Sequence, residues 1–499
     1  MTVRQAAERG AVSGGGSPDL PPEMFLRYGK QLVEWIGEYL SNAEQYPVLS
    51  SVAPGDISAA LPASPPDGPE SLDAILADFE ETLMPGITHW NHPGFFAYFA
   101  NSASVPGILA EMLISALNVN AMLWRTSPAA TELELRATDW LRQLMGLGDG
   151  WHGHINDTAS ISTMLALAAA REAAGLDVRE LGMAGRAELP VLRVYCSEHA
   201  HSSVDRAVIT LGMGQRNVVH IPADREFRMR PDILRERIAA DVAAGMHPLA
   251  VVATVGTTSS TSIDPVRTIA AVLREEVGAT GAKPWLHIDA AYGGSAAVVP
   301  EMRGVLDGAE LGDSLVVNPH KWLFTPVDCS VLYVKRPDIL KRSFSLVPEY
   351  LTSRDHSDAV NLMDYGIQLG RRFRALKLWM VIRAFGAEGL ADRIRRHCEL
   401  AREFAGWVRD EERWEVMAPV PFSTVCYRYA PPGTSEADRE RLNAAILERV
   451  NASGKAFISH TKLNGAYALR LAIGNIRTER RHVAEAWALL RAAAAEERH

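Results

Sequence analysis

The sequence predicts an α/β protein built on a mostly parallel sheet with helices on both faces. Between about Ser104 and Arg336, short apolar runs rich in β-branched residues alternate with runs whose apolar residues recur at helical spacing. Several of the strand-like runs end in polar residues, as strands do where the carboxyl edge of a parallel sheet binds a ligand. We therefore expect one large sheet with a functional site along its carboxyl edge.

The N-terminal elements come first. We expect residues 1–20 to form a disordered tail, because they contain the run Gly14–Ser17 and no apolar core of a signal peptide. Helical periodicity over Pro22–Leu40 and Leu72–Leu83, separated by a Pro-rich connector, predicts a helical N-terminal segment over residues 21–104. These helices have an apolar stripe but little core, so they pack either on the rest of the chain or on a neighbouring subunit.

A large domain is predicted over residues 105–385, ending in a long helix from Arg371 to Phe385, and a small C-terminal α/β domain over residues 386–499. The predicted strands of the large domain are Leu192–Cys196, Val218–Ile221, Leu249–Val255, Trp285–Asp289, Ser314–Val317 and Val331–Val334. Its other helices are predicted at Ser162–Ala173, Pro231–Ala243 and Pro265–Val277. In the small domain we expect strands at Thr424–Tyr429 and Tyr467–Ile473 and a helix from about Arg480.

Composition excludes several classes of protein. The 499 residues, 47% hydrophobic and 22% charged, can bury the cores of two or three domains. The net charge of −9 includes no basic block, so we expect neither a nucleic-acid nor a membrane partner, and no apolar run is long enough to cross a bilayer. Four single cysteines lack zinc or disulfide spacing, which predicts reduced thiols, a cytoplasmic location and no metal: Cys196, Cys329, Cys398 and Cys426.

Lys321 is the most informative residue, because an amine between the Asn-Pro-His run at 318–320 and Trp322 is poorly suited to a solvated surface. A buried amine loses its charge more readily and becomes a nucleophile for an aldehyde. Upstream, the mostly apolar run Trp285–Asp289 is typical of a buried strand, and it ends in one carboxylate. A lysine and a carboxylate at neighbouring strand ends are what pyridoxal 5′-phosphate (PLP) needs, a Schiff-base partner and an anion facing its pyridine nitrogen.

Three further motifs adjoin predicted elements. The run Asn156–Thr163 places small hydroxylated residues where a helix begins, which suits either a bound phosphate or a plain N-cap. His201 follows a predicted strand, and it could stack on the cofactor ring, cap a helix, or bind a metal together with His199. Thr257 and Thr258 end another strand and could donate to the cofactor or form a turn.

These residues stand in a series of motifs that resembles the group II PLP-dependent decarboxylases, close to the aromatic L-amino acid decarboxylases. The resemblance extends from about Phe25 to Trp487 and implies the type I PLP-dependent transferase fold. It implies decarboxylation of an L-amino acid, aromatic by this resemblance, to an amine and CO2, and a homodimer whose active site is shared between subunits. The motifs that carry it are Thr88–Trp90, Phe95–Phe99, Ser127–Glu134, Ala200–Val204, His287–Tyr292, Asn318–Trp322 and Leu369–Arg374.

The resemblance also implies the cofactor contacts. Lys321 would form the Schiff base, Asp289 would pair with the pyridine nitrogen, and His201 and Ala291 would pack on opposite faces of the ring. Thr258 matches a threonine close to the ring. The implied phosphate-binding positions are Thr158, Ala159, Ser160 and Asn318.

Catalytic and substrate contacts are implied in the same way. His320 matches a histidine that contacts the substrate carboxylate, and Tyr350 matches a lid tyrosine that protonates the substrate carbon once CO2 has left. The implied substrate pocket contains aromatic wall positions and three positions that depart from the animal enzymes, which leaves a more polar substrate open. Its residues are Trp90, Tyr98, Phe99, Asn101, Asn120 and Met122.

Alternative functions remain at this point. An oxidative aldehyde synthase arises in this family when the lid tyrosine or the stacking histidine is replaced, and both are present here. A non-catalytic binding protein on the same fold is disfavoured because the catalytic set is complete. A metal hydrolase would leave Lys321 and Asp289 unexplained, and it would use histidines chosen from His89, His92, His199, His201 and His320.

Overall fold

The computed structural model describes residues 19–280, 283–346 and 359–497, so residues 1–18 of the predicted tail lie outside it. Within these ranges the strands are β1 (His152–Asn156), β2 (Leu192–Ser197), β3 (Val218–Ile221), β4 (His247–Thr254), β5 (Trp285–Asp289), β6 (Ser314–Val317), β7 (Ser330–Val334), β8 (Trp414–Val416), β9 (Thr424–Tyr429), β10 (Ser459–Leu463) and β11 (Ala466–Ala472).

The α-helices of the same ranges include three in the N-terminal segment, a long one near residue 386 and one that closes the chain. They are α1 (Pro22–Ser41), α2 (Asp56–Ala60), α3 (Leu72–Asp78), α4 (Val105–Leu117), α5 (Pro128–Leu144), α6 (Ala159–Ala173), α7 (Val178–Leu181), α8 (Ser203–Thr210), α9 (Pro231–Ala243), α10 (Val266–Thr280), α11 (Pro319–Trp322), α12 (Pro337–Phe344), α13 (Ala375–Arg409), α14 (Glu436–Ala452) and α15 (Arg480–Glu496).

The large sheet has seven strands in the order β1-β7-β6-β5-β4-β2-β3. Strands β6, β5, β4, β2 and β3 pair in parallel, whereas β7 is antiparallel to both of its neighbours, β1 and β6. Two reversals cancel, so β1 points in the same direction as the parallel strands. The predicted mostly parallel α/β sheet is confirmed, and every strand of it except β7 ends at one edge.

Two features of the sheet differ from the sequence analysis. Strand β1 lies outside the predicted strands, because its five residues, His-Gly-His-Ile-Asn, are polar and become a strand only by pairing with β7. The predicted strand at β7 is present but reversed. The connection from β6 to β7 contains only the single turn of α11, not the long helix of a parallel crossover.

The long predicted helix is also changed. It starts at Ala375 instead of Arg371 and continues to Arg409, with an interruption at Gly386, where φ is +65°. Glycine adopts this left-handed conformation without the steric cost of a Cβ atom. The run Leu72–Leu83 is likewise divided, because α3 ends at Asp78 and one π-helical turn follows over Phe79–Leu83.

Helices cover both faces of the large sheet. One face packs on α5, α9, α10 and the first limb of α13, and the other on α6, α8 and α12. A separate core lies between the antiparallel sheet β10-β11-β9-β8 and the second limb of α13 with α14 and α15. The division into residues 21–104, 105–385 and 386–499 stays a prediction. In the described ranges, no helix combines the length and apolar character of a membrane span.

Candidate active site

The carboxyl edge of the large sheet gathers loops from five strands. Because β1, β2, β4, β5 and β6 share one direction, the residues that follow them lie along the same edge. This arrangement places five of the predicted site residues at the ends of strands that point the same way: Thr158 after β1, His201 after β2, Thr258 after β4, Asp289 at the end of β5 and Lys321 after β6.

Lys321 lies in α11 between the buried side chains of His320 and Trp322. Its Nζ is 5.1 Å from the centroid of the Phe99 ring. Burial lowers the pKa of the Lys321 amine, an effect that the charge of Asp289 opposes and that of Arg470 strengthens. A lowered pKa enlarges the neutral fraction of the amine, which is the form that attacks a carbonyl carbon.

Asp289 is buried at the end of β5, where its Oδ1 accepts the N–H of Ala291 at 3.1 Å. The Ala291 carbonyl in turn accepts the N–H of Asn318 at 3.0 Å, so the end of β5 is joined to the start of α11. In the part of the chain that the structure describes, Asp289 forms no ion pair. A buried carboxylate needs a proton donor or a cation, and a protonated pyridine nitrogen supplies one.

His201 lies in the exposed part of the cleft. Its Nδ1 accepts the N–H of Ser203 at 3.1 Å, so the neutral ring carries its proton on Nε2. Desolvation by the surrounding protein lowers the pKa of His201, while the charge of Asp289 raises it and that of Lys321 lowers it. A cavity of about 600 Å³ extends from His201 and Thr258 to Lys462 and Asn464 on the hairpin between β10 and β11.

The phosphate-binding prediction falls on the start of α6. Thr158 is the N-cap residue, but its hydroxyl bonds to Asp157 and does not cap the helix. Ala159 and Ser160 form the first turn, whose N–H groups therefore have no side-chain acceptor and can bind an anion. Across the cleft, the buried amide of Asn318 has an oxygen without a hydrogen-bond partner among the described residues. The free N–H groups at the start of α6 fit the phosphate of a cofactor, whereas at Asn318 only the amide nitrogen can donate to a phosphate and the amide oxygen would need a donor from the ligand.

His320 is clamped by one residue from the following loop. The ring nitrogen Nδ1 of His320 accepts the backbone N–H of Cys329 at 2.9 Å. The backbone N–H of His320 donates to the Cys329 carbonyl at 3.3 Å. Burial lowers the pKa of His320 to about 3, with a further contribution from the charge of Lys321. The ring is therefore neutral, and its proton lies on Nε2, where it can be donated to a carboxylate.

The predicted aromatic wall is a cluster of rings. Phe99 is buried and stacks on Tyr292, with centroids 3.8 Å apart. Trp90 and Tyr98 are more exposed and stack with centroids 6.1 Å apart. Asn101 follows at the end of the same segment and is half-buried. A flat, apolar side chain is the complement of such a surface.

Asn120 and Met122, also predicted for the substrate pocket, contact each other and the segment at Arg371. The side-chain Oδ1 of Asn120 accepts the backbone N–H of Arg371 at 2.9 Å, and the side-chain nitrogen of Asn120 lies 3.5 Å from the sulfur of Met122. Asn120 is exposed at the surface. Tyr350 and the predicted lid over Thr352–Asp358 lie outside the described residues.

Arg470 is a site residue that the sequence analysis missed. It lies on β11, fully enclosed, with its guanidinium carbon 4.6 Å from the centroid of the Phe99 ring. Its Nε donates to the carbonyl of Ser259 at 3.1 Å and its Nη1 to the carbonyl of Tyr98, but Nη2 has no partner. No carboxylate of the described residues pairs with this cation. The unused N–H points to an anionic ligand.

A column of stacked rings supports the lysine. Phe99 stacks on Tyr292, Tyr292 on Trp322 with centroids 4.7 Å apart, and Trp322 on His397 at 6.5 Å. The indole N–H of Trp322 donates to His397 at 3.0 Å. The residue next to Lys321 is thus fixed from both sides.

The histidines of the metal interpretation do not come together. His320 is bonded to Cys329, and His89 lies 3.0 Å from the hydroxyl of Tyr39. Among residues 19–280, 283–346 and 359–497, no group of three or more His, Cys, Asp or Glu side chains could hold a metal ion. The cluster that the metal hydrolase requires is absent from this part of the chain.

Comparisons with known proteins place the chain in one family. Residues 54–430 match the pyridoxal-dependent decarboxylase conserved domain. Tryptophan decarboxylase 2 of Oryza sativa subsp. japonica is 39% identical over 491 residues, covering 96% of this chain and 96% of that protein. Phenylacetaldehyde synthase of Arabidopsis thaliana is 40% identical over 489 residues, covering 96% and 97%.

A solved structure has the same fold throughout its length. The crystal structure of Oryza sativa TDC with PLP and tryptamine superposes with a TM-score of 0.91 at 37% sequence identity. The match covers 97% of this chain and 100% of that one. The predicted type I fold is thereby confirmed for the chain as a whole.

Proposed function

The chain belongs to the pyridoxal-dependent decarboxylase family, and we propose that it removes the carboxylate of an aromatic L-amino acid at the site around Lys321. It is a PLP-dependent enzyme, and its products are an amine and CO2. The observation that carries the site assignment is the pair formed by the Lys321 amine and the unpaired carboxylate of Asp289 at adjoining strand ends.

Each side chain then has a distinct task. Bound PLP supplies an electron sink for the bond that breaks at the substrate Cα. In this proposal Lys321 holds the cofactor covalently, Asp289 keeps its pyridine nitrogen protonated, and His201 and Ala291 flank its ring. Thr258 lies beside the ring, and the phosphate is bound by Thr158, Ala159, Ser160 and Asn318.

Two donors are proposed for the substrate carboxylate. The Nε2–H of His320 is free because Nδ1 is occupied by Cys329, and the Nη2–H of Arg470 has no partner in the described chain. Together they can orient the carboxylate so that the bond to Cα lies perpendicular to the cofactor ring, the geometry in which its electrons enter the π system. The cluster of aromatic rings that includes Phe99, Tyr98 and Trp90 supports the same substrate class.

The product depends on how the substrate carbon is protonated. We assign this proton to Tyr350, whose presence favours the amine over the aldehyde. The aldehyde synthase is the second candidate function, because a phenylacetaldehyde synthase and a tryptophan decarboxylase match the chain at almost equal identity. Replacing Tyr350 with Phe is expected to shift the product from amine towards aldehyde, and an unchanged amine yield would remove Tyr350 from the role.

A homodimer is part of the proposal. Helix α1 exposes Phe25 and Leu26 to 73% and 61%, and α4 also carries a row of exposed apolar residues: Val105, Leu109, Met112, Leu113 and Leu117. Apolar faces of this kind are buried in an obligate interface. We propose that the segment with Asn120 and Met122 reaches the partner's active site, and that the thiols, all free and buried, reflect a cytoplasmic location.

Mixed dimers test the shared site. A Lys321→Ala protein and a protein with a disruptive Met122→Asp change should each be inactive. If each site combines Lys321 of one subunit with Met122 of the partner, unfolding and refolding the two together should restore about a quarter of the parental activity, because half of the dimers carry one intact site. No recovery, with dimers verified by light scattering, would contradict a shared site.

Substrate screening tests the function itself. Purified protein loaded with PLP should be incubated with each standard amino acid, and released CO2 and amine should be measured. We expect turnover with tryptophan, tyrosine or phenylalanine. Turnover confined to acidic or small polar amino acids would contradict the aromatic pocket while leaving the cofactor chemistry intact.

A further inference from the structure

An ion pair behind His320 holds the loop that clamps it. Asp328 precedes Cys329, and its carboxylate accepts Nε of Arg374 at 2.8 Å and Nη2 at 3.1 Å. Two parallel hydrogen bonds of this kind fix both the position and the plane of a carboxylate. The Arg374 side chain is only 9% exposed, so solvent screens this pair weakly.

Two other cations, Lys377 and Arg372, each lie 3.9 Å from this carboxylate. Lys377 is fully buried and pairs with Glu111 at 2.6 Å, while its distance to Asp328 is 3.9 Å. Arg372 also pairs with Glu111. Three cations therefore share two carboxylates in this cluster. Removing Asp328 would leave three cations facing Glu111 alone, and their repulsion would move the loop.

One peptide bond links the Asp328–Arg374 ion pair to the imidazole of His320. The N–H that sets the proton position of His320 belongs to Cys329, and the peptide bond that carries this N–H joins Asp328 to Cys329. We infer that Asp328 and Arg374 are positioning residues for the reaction: their ion pair fixes the Cys329 N–H, which holds His320 as the Nε2–H tautomer facing the substrate carboxylate. The contact between His320 and the substrate carboxylate rests on the proposed function, whereas the tautomer of the His320 ring does not.

The test uses the holoenzyme with Asp328→Asn and, as a second variant, Arg374→Lys, which keeps the charge but loses the two parallel bonds. Asp241→Asn is the matched control, because Asp241 also pairs with a largely buried arginine, Arg193, at 3.1 Å, far from the site in the fold. Nitrogen-15 NMR of labelled histidines reads the tautomer directly, with the His320 signal identified by its loss in His320→Gln.

We expect the parent and Asp241→Asn to show His320 protonated on Nε2 alone, and the two test variants to show a mixture of tautomers. The kcat/KM of the test variants should fall by about 10- to 100-fold, as when a reacting group is displaced by about 1 Å. The affinity for the product amine should not change, because the amine carries no carboxylate.

Each result decides a different claim. A parental His320 signal with parental kinetics in both test variants would overturn the inference. Parental kinetics of His320→Gln would overturn the proposed contact between His320 and substrate, and the NMR result would still decide whether Asp328 and Arg374 set the tautomer.

Discussion

Two buried clusters of polar side chains flank β1 and the carboxyl edge, and they differ in how their charges are matched. In the β1 cluster, formed by Glu134, His154 and Arg371, the guanidinium donates to Glu134 at 2.6 Å, to His154 at 2.8 Å and to the Ile155 carbonyl at 2.9 Å. In the cleft cluster, formed by Asp289, Asn318, Lys321 and Arg470, no carboxylate pairs with Arg470 and no described cation pairs with Asp289.

The difference separates structure from binding. A buried ion pair whose opposite charges are matched holds elements together, and here it joins α5, β1 and the segment before α13, although Arg371 Nε and His154 Nδ1 lack a hydrogen-bond partner among the described residues. Buried charges without partners are costly and persist where a ligand completes them. PLP and an amino acid bring a pyridinium N–H and a carboxylate, which are the partners that Asp289 and Arg470 lack.

The largest effect should follow from removing the nucleophile of the cleft cluster. Lys321→Ala is expected to lose activity by about 10³-fold or more, because the other lysine that lines the cavity, Lys462, is exposed and paired with Glu440 at 2.7 Å. Borohydride reduction of the parental protein with bound PLP should attach PLP covalently to Lys321. Peptide mass spectrometry would identify the modified residue. Parental turnover by Lys321→Ala would remove the cleft cluster from the chemistry altogether.

The next effect should appear in the β1 cluster, as a loss of stability. Arg371→Gln leaves the Glu134 carboxylate buried without its cation, so the free energy of unfolding should fall by about 3–5 kcal/mol. Denaturant titration of the apoenzyme measures it. The double variant Arg371→Met, Glu134→Leu should recover part of the loss, and equal losses in both would mean that the charges are not matched to each other.

Arg470→Gln should behave in the opposite way. It removes an unpaired buried cation, so the free energy of unfolding should stay level or rise. Its kcat/KM should fall by about 10- to 100-fold, the value of one hydrogen bond to a charged group. Inhibition by the product amine should be unchanged. A large loss of stability with normal kinetics would place Arg470 with Arg371 as a structural residue.

The smallest effect concerns the Asn318 amide. Asn318→Ala should weaken PLP binding by about 2- to 10-fold, because it removes a single hydrogen bond donated by the amide nitrogen. Reconstitution of the apoenzyme at increasing PLP concentration, followed by absorbance, measures this affinity. Asn443→Ala is a matched control, since its buried amide is satisfied by Tyr429 and Arg439 in the small sheet region. An unchanged affinity for Asn318→Ala would mean that its amide does not bind the phosphate.

Sequence reasoning found the residues of the cleft that follow apolar strands, and it missed those that depend on packing. Strands β5 and β6 are predicted with their observed ends, because continuous apolar runs bounded by polar residues define buried strands. Arg470 escaped notice because an arginine within a strand of a small antiparallel sheet carries no local sign of function. Its approach to Phe99 exists only once the N-terminal segment packs on the small sheet.

The ring column beside Lys321 gives the molecule an internal optical reporter. Trp322 is fully buried between Tyr292 and His397 and adjoins the lysine proposed to hold the cofactor. An indole in that place transfers its excitation to a nearby pyridoxal chromophore. Binding of PLP to the apoenzyme should therefore quench its tryptophan fluorescence. A Trp322→Phe protein should lose the part of that quenching that Trp322 contributes.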